Sequence, residues 1–497
     1  VSARGTLLDP WLAGAEHKPI HVIGGSGAEG VALLTYLVSE LGLTGVVAHD
    51  FSNDQRAFAA SFRRANTAWD RTERERVLKR IRSLPVQWHL GEHYGTGVAE
   101  AGLIFASQNW FNYPANVPAL PNAIKAGVPL RGVVELAMDL FGGTRLGVTG
   151  SNGKSTTSGI LAHLLRESLP AGRQLLHGGN DRNAQARLAD LAGASQNDCL
   201  VWEVSNRHLR DRTVPVDIGV ITNITANHIE DHGSWEAYVA AKSRLALGAT
   251  RAAVLTAGDP ESEGLIAAVE ERGVTLWLAG CAPGEALDDG RRGLAFFHGG
   301  ALWVRRPGSV EPERIGDPSR LSLPGAHNQG NLASAVCAAI EADAPIEGLE
   351  AAWASFAPLP GRLEEVANHE GVRWIYDIQA TTAPASEAGI RALRGGLVLM
   401  VGGEDKGMDY SGMADAAARA RGIVALPGSG SDRFAETLNG RAPITWVDDL
   451  DHGLRAARDI AQAGDAVLLS PGAAFFSSRF IGGGPSFARR VRSLLGL

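Results

Sequence analysis

A chain of 497 residues exceeds what one hydrophobic core can organise, because single cores stop growing near roughly 250 to 300 residues, so two or three domains are expected. Hydrophobic residues at 45% and charged residues at 20% exclude a disordered polymer, and a formal charge of −7 offers no basic field for a nucleic acid. Cys199, Cys281 and Cys337 lack metal-ligand spacing, the start VSARGTLLDPW lacks a secretory signal, and no run nears the roughly 18 apolar residues that cross a bilayer, so a cytoplasmic protein without a membrane span is expected.

Short apolar runs that end in glycine and lead into helical patterns recur along the chain, the mark of βα units and parallel sheets. The first is Ile20–Ile23, followed by GGSGAEG (Gly24 to Gly30), a helical stretch to about Leu41, and a second strand ending at His49-Asp50. That order is the one found in dinucleotide-type folds, although its loose spacing also suits a plain tight turn. Residues 54 to 84, rich in Arg, Glu and Ala, are expected to form a solvated helical insertion. A strand around Gly102–Ser107 and the loop NWFNYPANVPALPN follow. The next group begins near Arg145–Val148, with strands expected at Leu200–Val204, Ile218–Ile221 and Ala253–Leu255 and a hairpin-like section over 280–306. Strands around Arg373–Ile375, Leu397–Val401, Gly422–Ala425 and Ala466–Leu469 alternate with helices in the last group.

TGSNGKS (Thr149 to Ser155) sits between a strand and a helix, the setting that a phosphate loop needs. Gly150 and Gly153 let the backbone of Ser151 and Asn152 turn its N–H groups toward phosphate oxygens, Lys154 suits the β and γ phosphates, and Ser155 or Thr156 offers a hydroxyl to Mg²⁺. Val148 replaces the glycine that opens the common kinase and GTPase loop. Downstream, Glu203 follows an apolar strand and would emerge at a sheet edge, and His228 lies in NITANHIEDHG; a carboxylate and an imidazole there could hold a second divalent ion, or serve as a structural charge and a core histidine. Lys242 lies on a helix over about 235–247 and shares a face with Tyr238 and Leu245, so its amine is expected to be partly desolvated; a surface lysine is the plainer alternative.

TGSNGKS, Gly178-Gly-Asn180, the strand-end Glu203, NITxxH, YxAAK, LPGxHNxxN (Leu323 to Asn331), PGRLE (Pro360 to Glu364) and LLSPG resemble the Mur ligases, from about residue 20 onward. GGSGAEG, GGEDKGMDYSGM and the C-terminal pattern are most similar to the branch that adds glutamate to UDP-N-acetylmuramoyl-alanine. The resemblance implies an α/β fold of three domains: a Rossmann-like domain over 1–138 for the UDP substrate, a central phosphate-loop ATPase-type parallel sheet over 139–357 for ATP, and a Rossmann-like domain over 358–497 for the incoming amino acid. It also implies an ATP-dependent acid–amino acid ligase, monomeric, whose partners are a UDP-muramoyl-type substrate and an amino acid. ATP would phosphorylate a carboxylate, and the amine would displace phosphate from the acyl phosphate.

The same resemblance implies roles for single residues. Glu203 would ligate one Mg²⁺, with His228 and a carbamylated Lys242 serving a second. Asn180 would orient the acyl group or phosphate, Asn328 and Asn331 would meet the adenine side of ATP, Arg362 the γ-phosphate and Asp377 the ribose. A polar helix start is the other reading of the two asparagines. Gly24, Gly25, Ser26 and Gly27 would lie near the diphosphate and Asp50 or Phe51 near uracil, while Thr381, Lys406 and Phe480 belong to the amino-acid side. Domain closure would gate catalysis.

The chain departs from the family at Asn227, where an aspartate is expected, at Asp377-Ile-Gln-Ala-Thr381, where a serine and a lysine are lost, and at Gly472–Phe476, where hydroxyls are expected. Ser477 or Ser478 could supply the missing hydroxyl. QNWFNYP replaces a Pro-Gly turn after Ser107. These changes keep open a relative with another amino acid or carboxylate, as in folate-type polyglutamylation or a specialised peptide pathway, and a nucleotide-binding scaffold without turnover. A kinase or GTPase would need neither Lys242 nor Arg362.

Overall fold

Ile20–Ile23 (β1) is buried along its whole length, as a strand covered on both faces must be. It pairs in parallel with Val46–Asp50 (β2) and with Leu103–Ala106 (β4). Adding Gln87–Leu90 (β3) and Leu130–Arg131 (β5) completes a five-stranded parallel sheet of order β3-β2-β1-β4-β5. The computed structural model describes residues 17–66, 69–112, 116, 118–179, 187–210, 212–226, 229–281, 290–474 and 487–497. They fall into two compact units, one drawn from residues 1–297, 303–313 and 334–346 and the other from 298–302, 314–333 and 347–497.

The expected insertion between β2 and β3 is a pair of helices, Gln55–Ala65 and Arg71–Arg82. The Asp54 and Asp70 side chains start them by accepting the Ala57 and Glu73 amides at 2.7 and 2.9 Å. The insertion is not merely solvated. Phe58, Phe62, Leu78 and Ile81 form its buried face, the Phe58 ring meets Trp88 edge-on, Asn66 Nδ2 donates to the Ser26 carbonyl at 3.0 Å, and the Ser26 and Ser61 hydroxyls are 2.9 Å apart. Helical spacing of the aromatic residues, hidden among arginines, seats the insertion against the Gly24–Gly30 turn.

The first unit holds a second parallel array: Thr144–Thr149 (β6), Leu175–Gly179 (β7), Cys199–Glu203 (β8), Ile218–Ile221 (β9), Ala252–Thr256 (β10) and Thr275–Cys281 (β11), in the order β11-β10-β9-β6-β8-β7. One hydrophobic core joins it to the first sheet, running from Leu103 and Phe105 through the buried helix Val133–Leu140 to Leu200, Trp202 and Leu245. Burial of these side chains supplies the main stabilisation, at about 25 cal/mol per Å² of apolar surface.

The other unit contains a six-stranded sheet of order Glu364–His369, Val372–Tyr376, Asp465–Gly472, Gly396–Gly402, Gly422–Ala425, Ile444–Trp446. Its first pair is antiparallel and its other pairs are parallel. Separate apolar clusters cover its faces, one around Ile375, Leu399 and Phe434 and one around Trp374, Val467 and Phe487. Among the described residues no helix is long and apolar enough to cross a membrane.

Candidate active site

Val148, where the sequence lacks the usual glycine, lies inside β6, fully buried and paired with Glu203 on one side and Val220 on the other. The turn therefore opens only at Gly150. Gly150 adopts φ +148°, and a Cβ there would lie 2.0 Å from the Thr222 hydroxyl, so no other residue fits. Gly153, at φ +81°, leads into the helix Lys154–Ser168.

The segment after β9 braces this loop. Ser151 N donates to the Asn223 carbonyl at 2.8 Å and Asn152 N to Asn223 Oδ1 at 2.9 Å; Asn223 Nδ2 and the Thr222 hydroxyl both donate to the Asn152 carbonyl, at 3.0 and 2.6 Å. Thr222 and Asn223 are thus functional candidates that motif reading missed. The available signal was their place directly after β9, whose Ile221 pairs with Thr149.

Lys154 Nζ folds back on its own loop, donating to the Gly150 and Ser151 carbonyls at 2.9 Å each. Lys242 Nζ donates to the same Gly150 carbonyl at 2.6 Å. Its helix is Trp235–Leu247, as expected, and Lys242 is 1% exposed with its amine 4.9 Å from the centre of the Tyr238 ring. Burial, and then the charge of Lys154, hold the Lys242 amine well below the usual lysine range, with Glu203 opposing. Tyr238 presents its hydroxyl to Ser151 Oγ at 2.8 Å, so one helix grips both the loop and the lysine. Burial pushes the Tyr238 phenol up, which keeps it neutral.

Glu203 ends β8, is 2% exposed, and lies between Val148 of β6 and Gly179 of β7. Gly179 must be glycine there, because a Cβ would lie 2.5 Å from the Glu203 backbone. Ser155 and Thr156 are buried in the first turn after the loop. Hydroxyl and carboxylate oxygens at the loop form a donor set suited to a hard divalent cation, so the residues present fit Mg²⁺. Asn180 and His228, together with Asn227, lie outside the described residues, as do Phe480, Ser477 and Ser478.

Around the Gly24–Gly30 turn, Asp50 is fully buried and its carboxylate is used internally: Oδ2 accepts Ser26 N at 2.8 Å, and Oδ1 accepts Ser52 N and Oγ at 3.0 and 2.6 Å. Phe51, 37% exposed and beside Tyr94, is the outward member of the pair expected near uracil. The segment after β4 is tied to the segment after β8: Gln108 and Ser205 hydrogen-bond through their side chains, Arg207 donates to Asn109 Oδ1 at 3.0 Å, and Arg207 pairs with Asp231 at 2.6 Å. The Gln-Asn pair that breaks the family pattern after Ser107 thus has a structural use.

In the other unit, Asn328 and Asn331 occupy one helix face; Asn328 Nδ2 donates to the Pro324 carbonyl at 2.8 Å and Asn331 Nδ2 to Asn328 Oδ1 at 3.1 Å, the geometry of a polar helix start. Arg362 is half-buried, Thr381 N donates to the Gln379 carbonyl, and Lys406 is exposed on the loop after Gly396–Gly402. That loop is laced to the end of Asp465–Gly472 by reciprocal Glu404 and Ala474 backbone bonds at 2.9 and 3.0 Å. Asp377 is 7% exposed, and both its oxygens accept hydrogen bonds within the unit.

A braced phosphate loop, with a buried lysine on its first carbonyl and a strand-end carboxylate alongside, on a parallel α/β sheet, is the apparatus of an ATP-dependent amide ligase. Residues 148–339 match the Mur ligase middle domain, and residues 361–472 the Mur ligase, glutamate ligase domain. The chain belongs to the Mur ligase family. It is 31% identical over 420 residues to the UDP-N-acetylmuramoylalanine–D-glutamate ligase of Symbiobacterium thermophilum, covering 83% of this chain and 89% of that protein. The like-named enzyme of Acidobacterium capsulatum is 34% identical over 367 residues, 73% of this chain and 76% of its own. In fold the chain is similar to the UDP-N-acetylmuramate–alanine ligase of Thermotoga maritima, with TM-score 0.56 and 15% identity over 96% of this chain and 99% of that one. It is also similar to a pseudomurein peptide ligase type C from Methanothermus fervidus, with TM-score 0.53 and 17% identity over 94% and 99%.

Proposed function

We propose that this chain uses ATP to join glutamate to UDP-N-acetylmuramoyl-alanine in the making of peptidoglycan precursors, acting in the cytoplasm as a monomer of three functional parts, residues 1–138, 139–357 and 358–497. The relatives' shared name supports the substrates, and the meeting of Lys154 and Lys242 on the Gly150 carbonyl beside Glu203 is the observation that carries the chemistry.

In this reading the substrate carboxylate oxygen attacks the γ-phosphorus, ADP leaves, and an acyl phosphate forms. The neutral amine of the amino acid then attacks the acyl carbon, inorganic phosphate departs, and the amine proton is released. The loop N–H groups and Lys154 neutralise charge that grows on the transferring phosphoryl, with Arg362 assigned to the γ-phosphate. Ser155 and Glu203, with His228 and a carbamylated Lys242, would hold Mg²⁺, which when bound withdraws charge from phosphate oxygens. A neutral, buried Lys242 amine suits carbamylation, since its lone pair is free to add to CO₂ with loss of one proton. Asn180, Asn328 and Asn331, Thr381, Lys406 and Phe480 keep the roles that the family resemblance implies, as do Gly24 to Gly27 and Phe51 on the UDP side.

The test is a panel of amino acids, including both enantiomers of glutamate, incubated with ATP, Mg²⁺ and UDP-N-acetylmuramoyl-alanine while ADP and product mass are followed. Glutamate-dependent ADP release with a product heavier by one glutamyl residue is expected; no release with any amino acid would leave a binding scaffold. One observation favours keeping other amino acids in the panel. Ile378, where the family pattern has a serine, is buried in an apolar cluster and offers no hydroxyl.

A further inference from the structure

Gly24-Gly25-Ser26-Gly27 places three glycines in four residues, and a backbone so free of side chains loses much conformational entropy when it is fixed. The helical insertion supplies what fixes it. Phe58, Phe62 and Asn66 recur at four-residue steps, so they share one face of the helix Gln55–Ala65 and its cap. Asn66 is buried just past the last turn, where its Nδ2 donates to two carbonyls, that of Phe62 at 2.9 Å and that of Ser26 at 3.0 Å. Two acceptors demand an NH₂ group, which asparagine has and aspartate lacks. On the same helix, Ser61 Oγ lies 2.9 Å from Ser26 Oγ. Apolar contact reaches the same turn: the Phe58 ring meets Trp88 edge-on at 5.0 Å between centres, and a Cβ at Gly25 would lie 2.8 Å from the Trp88 ring.

We infer that the insertion is a backing element for the UDP side of the substrate site, with Asn66 and Ser61 as positioning residues that hold the turn over 24–27 ordered before substrate arrives. A turn already ordered leaves less entropy to be lost on binding, so KM is lowered without any contact between the insertion and the substrate. Ser26 is the point of purchase: its amide donates to Asp50 Oδ2 at 2.8 Å on the strand side, while its carbonyl and hydroxyl meet Asn66 and Ser61 on the helix side. The turn is thus clamped between Val46–Asp50 and the insertion. That substrate meets this turn rests on the proposed ligase reading; the clamp itself does not.

Two measurements on the full chain test it. In the protein without substrate, hydrogen exchange of the peptide carrying 24–30 reads the clamp. Asn66→Ala is expected to speed exchange there about tenfold, because a buried carbonyl loses its donor. Asn66→Asp, equal in size but with no side-chain N–H to offer, is expected to do no better. Unchanged exchange in both variants overturns the inference whatever the enzyme's activity. Calorimetric titration with UDP, together with steady-state rates, reads the consequence. Asn66→Ala is expected to weaken UDP binding and raise KM for UDP-N-acetylmuramoyl-alanine about tenfold, with kcat and KM for ATP within about twofold of the wild type, the pattern of a binding loss that leaves the chemical step alone. Arg76→Ala, which breaks only an exposed pair with Glu73, is the control and is expected to change none of these. An equal rise in KM for both substrates, or the same loss in Arg76→Ala, would mean general loosening and overturn the positioning role. No binding of UDP or UDP-N-acetylmuramoyl-alanine by the wild type would overturn the UDP half together with the ligase's substrate reading, and the exchange result alone would then decide the clamp. Ser61→Ala provides a milder variant should Asn66→Ala fold poorly, with a few-fold rise in KM for the UDP substrate alone expected.

Discussion

Lys154 and Lys242 donate to one and the same oxygen, the Gly150 carbonyl, at 2.9 and 2.6 Å. Two ammonium groups that share one acceptor repel each other, and burial adds to the cost of charging the inner one. The inner one is Lys242, whose pKa falls for these reasons. The loop lysine thereby helps to keep its neighbour neutral and nucleophilic.

Replacing Lys242 by alanine is expected to lower kcat about a hundredfold or more, since the group that the proposed mechanism assigns to the metal beside the transferring phosphoryl is removed. Partial return of turnover on adding a small carboxylic acid would support a carbamate at this position. Full activity in Lys242→Ala, measured by steady-state ADP release, would count against any part for this lysine in the ligation.

Asn223→Ala removes the side chain that both donates to the Asn152 carbonyl and accepts the Asn152 amide. The loop then lacks its brace before ATP arrives, so KM for ATP is expected to rise about tenfold while the fold persists, at a cost of about 1 to 3 kcal/mol. Initial rates against ATP concentration, together with urea unfolding, check both parts.

Burial raises the Asp377 carboxyl from 3.8 to about 7, against the pull of Ser470, Leu363 and Arg362. A raised acid binds its proton more tightly in the folded chain, so its contribution is present in full below about pH 4 and is lost as pH rises through about 7. At about 1.4 kcal/mol per pKa unit the loss amounts to about 4 kcal/mol. The difference in urea midpoint between wild type and Asp377→Asn is expected to fall from pH 4 to pH 7.5; a difference independent of pH would oppose it.

His21 and His49 carry the opposite sign. Burial, with neighbouring histidines, lowers them to about 4 and about 3. Gly95 N donates to His49 Nδ1 at 3.2 Å, and His49 and His21 share a hydrogen bond of 2.8 Å, a chain that needs both rings neutral. Their contribution is present above the unfolded value near 6.5 and is lost as pH falls toward about 4. Amide protection over residues 91–98, corrected for the intrinsic exchange rate at each pH, is expected to fall between pH 7 and pH 5, and less so in His49→Gln.

Much of the site was legible because it is written in neighbouring residues. The apolar run Ile218–Ile221 marked a strand, and the four-residue step from Tyr238 to Lys242 on one helix foretold their contact. Asp50 shows what neighbouring residues do not reveal. An acid at a strand end looks available to a ligand, and only its partners, Ser26 across the turn and Ser52, show that it is already used. The insertion at 54–84 looked solvated because its arginines outnumber the few aromatic residues that anchor it.

The sequence alone determined the strands, the helix starts and the glycine turns, since these depend on backbone sterics and on periodicities of two and 3.6 that any short window displays. Tertiary structure alone decided which side chains meet: the bracing of Asn152 by Asn223, the shared carbonyl of Lys154 and Lys242, the burial of Asp377 against Ser470. Those meetings depend on strand order and register between segments far apart in the chain. Burial then converts them into shifted charge states and fixed loops, because an ionisable group out of water must find its partners within the protein.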